Sequence, residues 1–236
     1  MNIKNFKIGV FLEYFFKLLP HLKETFIYLI GALLIGLVIG FFLTMAKLGK
    51  NRVLKGFAIG YTAVMRSLPS IVVLFLVYYG LPQLVQAIFS VNIARADKVI
   101  FVTITLALFS IATLSEIMKS AYLSVNHGQF EAAISNGLTE FQAFFRIILP
   151  QAFRFAIPNL GNSIVILLKE GSLGYTIGFL DVMGAANQFN TLTYQNHILE
   201  IYFALAAVYW VLSILIDYSF KLVEIVGVKQ RKEKSA

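Results

Sequence analysis

Arg66, Glu116 and the adjacent Lys169–Glu170 pair are the side chains of this sequence whose type and position could do chemistry, because each stands inside or beside a long apolar run. Charge at membrane depth is costly, so its presence there calls for a reason. Two cations and two carboxylates along apolar helices suit the passage of a small polar solute. Each also has a plainer reading. In "VMRSLPSIVV" Pro69 follows Arg66 by three residues and frees a backbone carbonyl one turn earlier. Arg66 therefore either lines a path or pairs with a carboxylate at a kink. Glu116 sits at the membrane interface if its helix ends near Met118, and faces the bundle if the helix runs on through "KSAYLSV". Lys169 and Glu170, beside Gly171, Ser172 and Gly174, suit a discontinuous helix facing a water-filled cavity, or else an ordinary helix end capped by serine and glycine.

No catalytic constellation accompanies these charges. There is no glycine-rich phosphate loop followed by Lys and Ser or Thr. His21, His127 and His197 are isolated and lack metal-ligand spacing, so no metal site is expected. The absence of cysteine excludes disulfides and thiol chemistry. If something is moved uphill, the energy must come from ions or from another subunit.

The elements that hold these residues are membrane helices. Hydrophobic residues are 58% of the chain and charged ones 14%, against about 45–50% and 25% in soluble domains. Residues 26–46 form a stretch of 21 without a charge, enough for a helix to cross a core of about 30 Å. Residues 99–115 and 201–220 give two more spans, the last passing Asp217 near its end. Two further spans are interrupted: 57–81, containing Arg66 and Pro69, and about 155–168, containing Pro158, Asn159 and Asn162. Five spans make an all-α integral membrane protein. Gly36 and Gly40 have the spacing that lets membrane helices approach closely.

Lysine and arginine in the short loops set the orientation. Lys47, Lys50, Arg52 and Lys55 place the first loop inside, and Lys221, Lys229, Arg231, Lys232 and Lys234 place the tail inside. Residues 170–200 hold three acids and no Lys or Arg, as an outer loop should. The N-terminus is then outside and the C-terminus cytoplasmic. The net charge of +8 is mostly topological, and a nucleic-acid partner is a poor alternative. Ile3, Phe6, Val10, Tyr14 and Leu18 keep a helical period among Lys4, Lys7, Lys17 and Lys23, which predicts a helix lying in the interface over 1–24. A transmembrane domain of 25–225 and a basic tail of 226–236 complete the division.

Between the third and fourth spans lies "EAAISNGLTEFQAFFRIILP", which holds no uninterrupted apolar run long enough to cross a bilayer. It reads Glu131-Ala132-Ala133, three residues, Gly137, nine residues, Ile147, one residue, Leu149-Pro150. This resembles, position for position, the EAA signature of the membrane subunits of bacterial ABC importers. "YTAVMRSLPSIVVLFLVYYGLP", "ILPQAFRFAIPNLGNSIVILLKEGSL" and "IYFALAAVYW" resemble the polar amino acid permeases in order and spacing, and "IGFLDVMGAA" is similar to cystine-type members. Where that family has R-G-T-P, K-D-T-S-L and A-Y-x-x-E-I, this chain has Arg66-Ser67-Leu68-Pro69, Lys169-Glu170-Gly171-Ser172-Leu173 and Ala112-Thr113-Leu114-Ser115-Glu116-Ile117.

The resemblance implies a type I ABC importer permease fold, with a cytoplasmic coupling segment at about 126–146 made of two short helices joined near Gly137. It implies ATPase subunits carrying ATP and Mg, no cofactor in this chain, an extracellular binding protein, and a second permease, identical or sister. It also implies a substrate path through Arg66, Pro69, Glu116, Asn162, Lys169, Glu170 and Ser172, with Glu116 and Glu170 facing the cavity. The alternative is a stand-alone ion-coupled carrier or channel, which leaves the EAA pattern unexplained.

Overall fold

Proline sets the breaks in an otherwise helical chain. The computed structural model describes residues 6–234, with side chains for 6–224 other than His127. Ile3, Lys4 and the tail side chains Lys229, Arg231, Lys232 and Lys234, on which part of the sequence reading rests, lie outside the described residues. Helices α1 (Ile8–Leu18) and α2 (Leu22–Leu48) are joined by a single 3₁₀ turn containing Pro20. Then come α3 (Arg52–Ser67), α4 (Ser70–Phe75), α5 (Leu81–Phe89) and α6 (Lys98–Leu123). Two short helices, α7 (His127–Ser135) and α8 (Glu140–Ala143), precede α9 (Leu149–Gly171), α10 (Val182–Leu192) and α11 (Ile198–Lys234).

Wide π turns connect α4 to α5 (Leu76–Gly80) and α8 to α9 (Phe144–Ile148). Each ends two residues before a proline, Pro82 and Pro150. A proline cannot donate to the carbonyl four residues back, and one widened turn lets the chain pass it without ending the helix.

Among the described residues, four helical stretches are long and apolar enough to cross a membrane: Ile8–Leu48, Ser70–Phe89, Lys98–Leu123 and Ile198–Glu224. Glu140–Ile177 and Val182–Leu192, bent by 44°, make a fifth if counted as one broken span. The second span differs from the sequence reading of 57–81. Pro69 is extended (φ −63°, ψ 134°), and the residue before a proline is pushed out of the helical region. The helix therefore breaks at Leu68 instead of kinking, and Arg66 falls in the exposed last turn of α3, ahead of the span. The outer loop read at 170–200 is also corrected, because it holds a 3₁₀ segment (Ser172–Ile177) and α10.

The chain forms two compact units. Unit one comprises Met1–Leu34, Leu68–Leu108 and Ile166–Leu215. Within it α1 buries Tyr14 and Leu18. The rings of Tyr14 and His21 meet Phe189 of α10, Phe6 packs edge-on to Phe203 of α11, and the Lys7 amide donates to Glu200 at 3.1 Å. Asp181, wholly buried, caps α10 by accepting from the Gly184 amide at 2.9 Å. Gly171 lies against the buried Tyr28 ring, where an added Cβ would come within 2.2 Å of a ring carbon. Gly171→Ala is therefore expected to lower the thermal unfolding midpoint by several degrees, an overpacking cost of about 1–3 kcal/mol. An unchanged midpoint would show that the ring moves aside freely.

Unit two comprises Ile35–Ser67, Phe109–Val165 and Ile216–Ala236. Here α2 lies close along α6, because a Cβ on Gly36 would overlap the Ser110 side chain and one on Gly40 would sit 3.3 Å from the Ile111 carbonyl. The Gly36/Gly40 spacing is used for helix approach. Ala121 and Val125, at and just beyond the end of α6, pack with Ile148, Ala152 and Ala156, and Phe130 of α7 joins this cluster.

Candidate coupling site and charged cluster

The segment 126–146 folds as a helix, a tight turn and a second helix. Asn126 caps α7 by accepting from the Gly128 amide at 2.8 Å. At its other end the Leu138 amide donates to the Ala133 carbonyl (3.2 Å) and the Gly137 amide to the Ile134 carbonyl (2.9 Å). This pair is a Schellman closure, which needs a left-handed residue at its centre. Gly137 supplies it, with φ +84°. Thr139 then opens α8 with a capping box: its hydroxyl accepts from the Gln142 amide at 3.3 Å, and the Gln142 side chain accepts from the Thr139 amide at 3.1 Å.

Glu131 and Ala132 are exposed on α7, and Ala133 is buried beneath them. Ile147 is half-buried in the π turn, while Leu149 and Pro150 are exposed at the start of α9. Phe141 is 70% exposed and stacks on Phe145 with ring centroids 4.4 Å apart. With Phe41, Met45, Leu149 and Phe153, these rings line an open apolar groove of about 920 Å³. Among the described residues, the sequence signature thus forms a hairpin capped at both helix starts, with exposed apolar side chains beside it.

The expected path residues fall into two groups. In unit one, Glu170 is half-buried and accepts a hydrogen bond from the Ser70 hydroxyl. Both border a small cavity of about 10 Å³ with Thr105, Val102 and Gly171. Lys169 is exposed, and its carbonyl accepts from the Ser172 hydroxyl at 2.6 Å. Pro69, in the same unit, is exposed at the helix break.

In unit two, Glu116 lies mid-helix on α6, which continues to Leu123, so the continuous-helix reading holds. Its carboxylate is already engaged. Lys47 Nζ donates to Glu116 Oε1 and to the Ser115 hydroxyl, both at 2.7 Å, and Lys119 Nζ stands 4.0 Å from Glu116 Oε2. Arg66 is exposed in the last turn of α3. Asn162 is exposed midway along α9.

Residues 16–224 match the family described as binding-protein-dependent transport system inner membrane component. The chain belongs to that family. It is 35% identical over 221 residues to the L-cystine transport system permease protein TcyL of Bacillus subtilis, covering 94% of this chain and 91% of that one. It is 35% identical over 200 residues to a putative glutamine transport system permease protein, GlnP, of Rickettsia felis, covering 85% of this chain and 88% of that one. Among solved structures, an amino acid ABC transporter crystallised with histidines superposes with a TM-score of 0.76 at 32% identity, covering 95% of this chain and 99% of that one. The resemblance to ABC importer permeases, read from motifs over nearly the whole chain and most strongly from residues 61–173, is borne out.

In this permease sequence reasoning misplaces Lys47 as well as Arg66. Lys47 was counted with the loop charges, yet its side chain is 0% exposed. Lys50, Arg52 and Lys55 remain exposed and carry the loop's charge. Lys47 closes a long apolar run and is followed by a basic loop, so composition groups it with the loop. Its partners are 68 and 69 residues away. Asp181 was missed as well. The signal was there in "DVMG", an aspartate three residues before a glycine amide that it caps.

Proposed function

We propose that this permease is the membrane subunit of an ATP-driven importer of polar amino acids, cystine among them. It works with two ATPase subunits that bind ATP and Mg on the cytoplasmic side, a second permease chain, and an external binding protein that delivers the substrate. The chain itself carries out no hydrolysis. The observation that carries the reading is the capped hairpin at 126–143, largely exposed, which supports a docking role. The stand-alone carrier gives that hairpin no task. ATP closure in the partner would draw the hairpins together and bias the helices between two access states.

The chain has no cysteine, so an introduced one is unique. Ser135→Cys, on the exposed end of α7, is expected to cross-link to the co-expressed ATPase with a short bifunctional reagent, whereas a cysteine at the exposed Tyr194 is not. Equal cross-linking at both positions, or none at Ser135, would overturn the docking assignment.

The basic loop and tail support an orientation in a bacterial cell membrane with the N-terminus outside and the C-terminus cytoplasmic. A reporter active only in the cytoplasm is expected to be active after Ala236 and silent after Asn187. The reverse pattern would refute this orientation.

A further inference from the structure

Lys47 is a buried ammonium whose hydrogen-bond partners among the described residues, Ser115 and Glu116, both lie on α6. Its side chain is 0% exposed, whereas that of Glu116 is 33% exposed. Ser115, also buried, donates to the Ala112 carbonyl at 2.8 Å and so accepts from Lys47. One turn earlier Thr44 Oγ1 lies 3.1 Å from the Ser115 carbonyl. The end of α2 is thus tied to α6 through side chains at Thr44 and Lys47, where Gly40 has already brought the two backbones close.

Seven residues beyond Glu116, α6 ends at Leu123, and α7 of the hairpin begins at His127. Ala121, Val125 and Phe130 share one apolar cluster with Ile148, Ala152 and Ala156, so the end of α6, the hairpin and the start of α9 are packed as one body. A desolvated ammonium cannot leave its carboxylate without finding another. Where Glu116 goes, Lys47 must follow, and with it the end of α2.

We propose that Lys47 is a positioning residue for transport: by holding Glu116, it makes the cytoplasmic end of α2 move with the coupling hairpin. It acts through Glu116 and meets no substrate. The proposal rests on the ATP-driven reading above, and wild-type ATP-dependent uptake checks that reading separately.

The test uses the complete transporter, with its ATPase and binding protein, reconstituted in vesicles, where ATP hydrolysed and substrate taken up are both measured. Lys47→Gln leaves Glu116 with water access, so it is expected to assemble and hydrolyse ATP while uptake per ATP falls about tenfold or more. Glu116→Gln strands a buried cation and is expected to reduce assembled yield further than Lys47→Gln does. The exchange pair Lys47→Glu with Glu116→Lys is expected to recover most of the wild-type ratio, since it restores the opposite charges and the Ser115 hydroxyl can turn from the Ala112 carbonyl to donate to the new carboxylate. A wild-type ratio in Lys47→Gln, or no recovery in the exchange pair, overturns the proposal. If Lys47→Gln fails to accumulate, the exchange pair alone decides. If wild type shows no ATP-dependent uptake, it is the functional reading that fails, and hydrolysis by the isolated ATPase distinguishes that from a dead preparation.

Discussion

Gly137→Val is expected to insert into the membrane at the wild-type level and to lose both ATPase co-purification and uptake. An added Cβ at Gly137 meets nothing within 4 Å, so the substitution causes no steric clash. Its effect lies in the backbone. At φ +84° a β-branched residue is strained, and leaving the left-handed region breaks the pair of bonds that closes α7. The cost is about 1–2 kcal/mol locally, too little to unfold the helices but enough to undo a short hairpin. Gly137→Asn, which tolerates the same region, is expected to retain most of the activity. Co-purification and uptake unchanged in the valine variant would remove the hairpin from the mechanism.

Glu170→Gln is expected to lower uptake by one to two decades while assembly with the ATPase is kept. Glutamine can still accept from the Ser70 hydroxyl, so the local fold is preserved and only the charge is removed. No ion pair engages Glu170 among the described residues, which leaves its charge available to an ammonium or polar group of a passing amino acid. A charge-assisted hydrogen bond of this kind contributes roughly 1.5–3 kcal/mol, about one to two decades in affinity. Glu116 differs, because its carboxylate is taken up by Lys47. Normal uptake by Glu170→Gln would leave recognition to other groups or to the external binding protein.

The parts of this structure legible in the sequence are those written locally. Apolar run length marks the spans, and the EAA spacing with its central glycine marks the hairpin. The Gly36/Gly40 pair marks where α2 and α6 approach. What was not legible depends on residues far apart in the chain or on a choice between two local outcomes. Nothing near Lys47 announces that Ser115 and Glu116 lie beside it. Pro69 permits either a kink or a break, and the chain breaks, which moves Arg66 out of the second span. The acid-rich stretch 170–200 looked like a loop because α10 is short and rich in small and polar residues; its Asp181 cap holds it helical.

On the proposed mechanism this permease moves its substrate only when a separate ATPase acts on it through the hairpin. Uptake of radiolabelled amino acids, cystine included, into vesicles containing the permease and its binding protein tests this, with the ATPase subunits and ATP each present or omitted. Accumulation against a gradient is expected only when both are present. Accumulation without the ATPase, driven by an ion gradient, would contradict it and restore the stand-alone carrier.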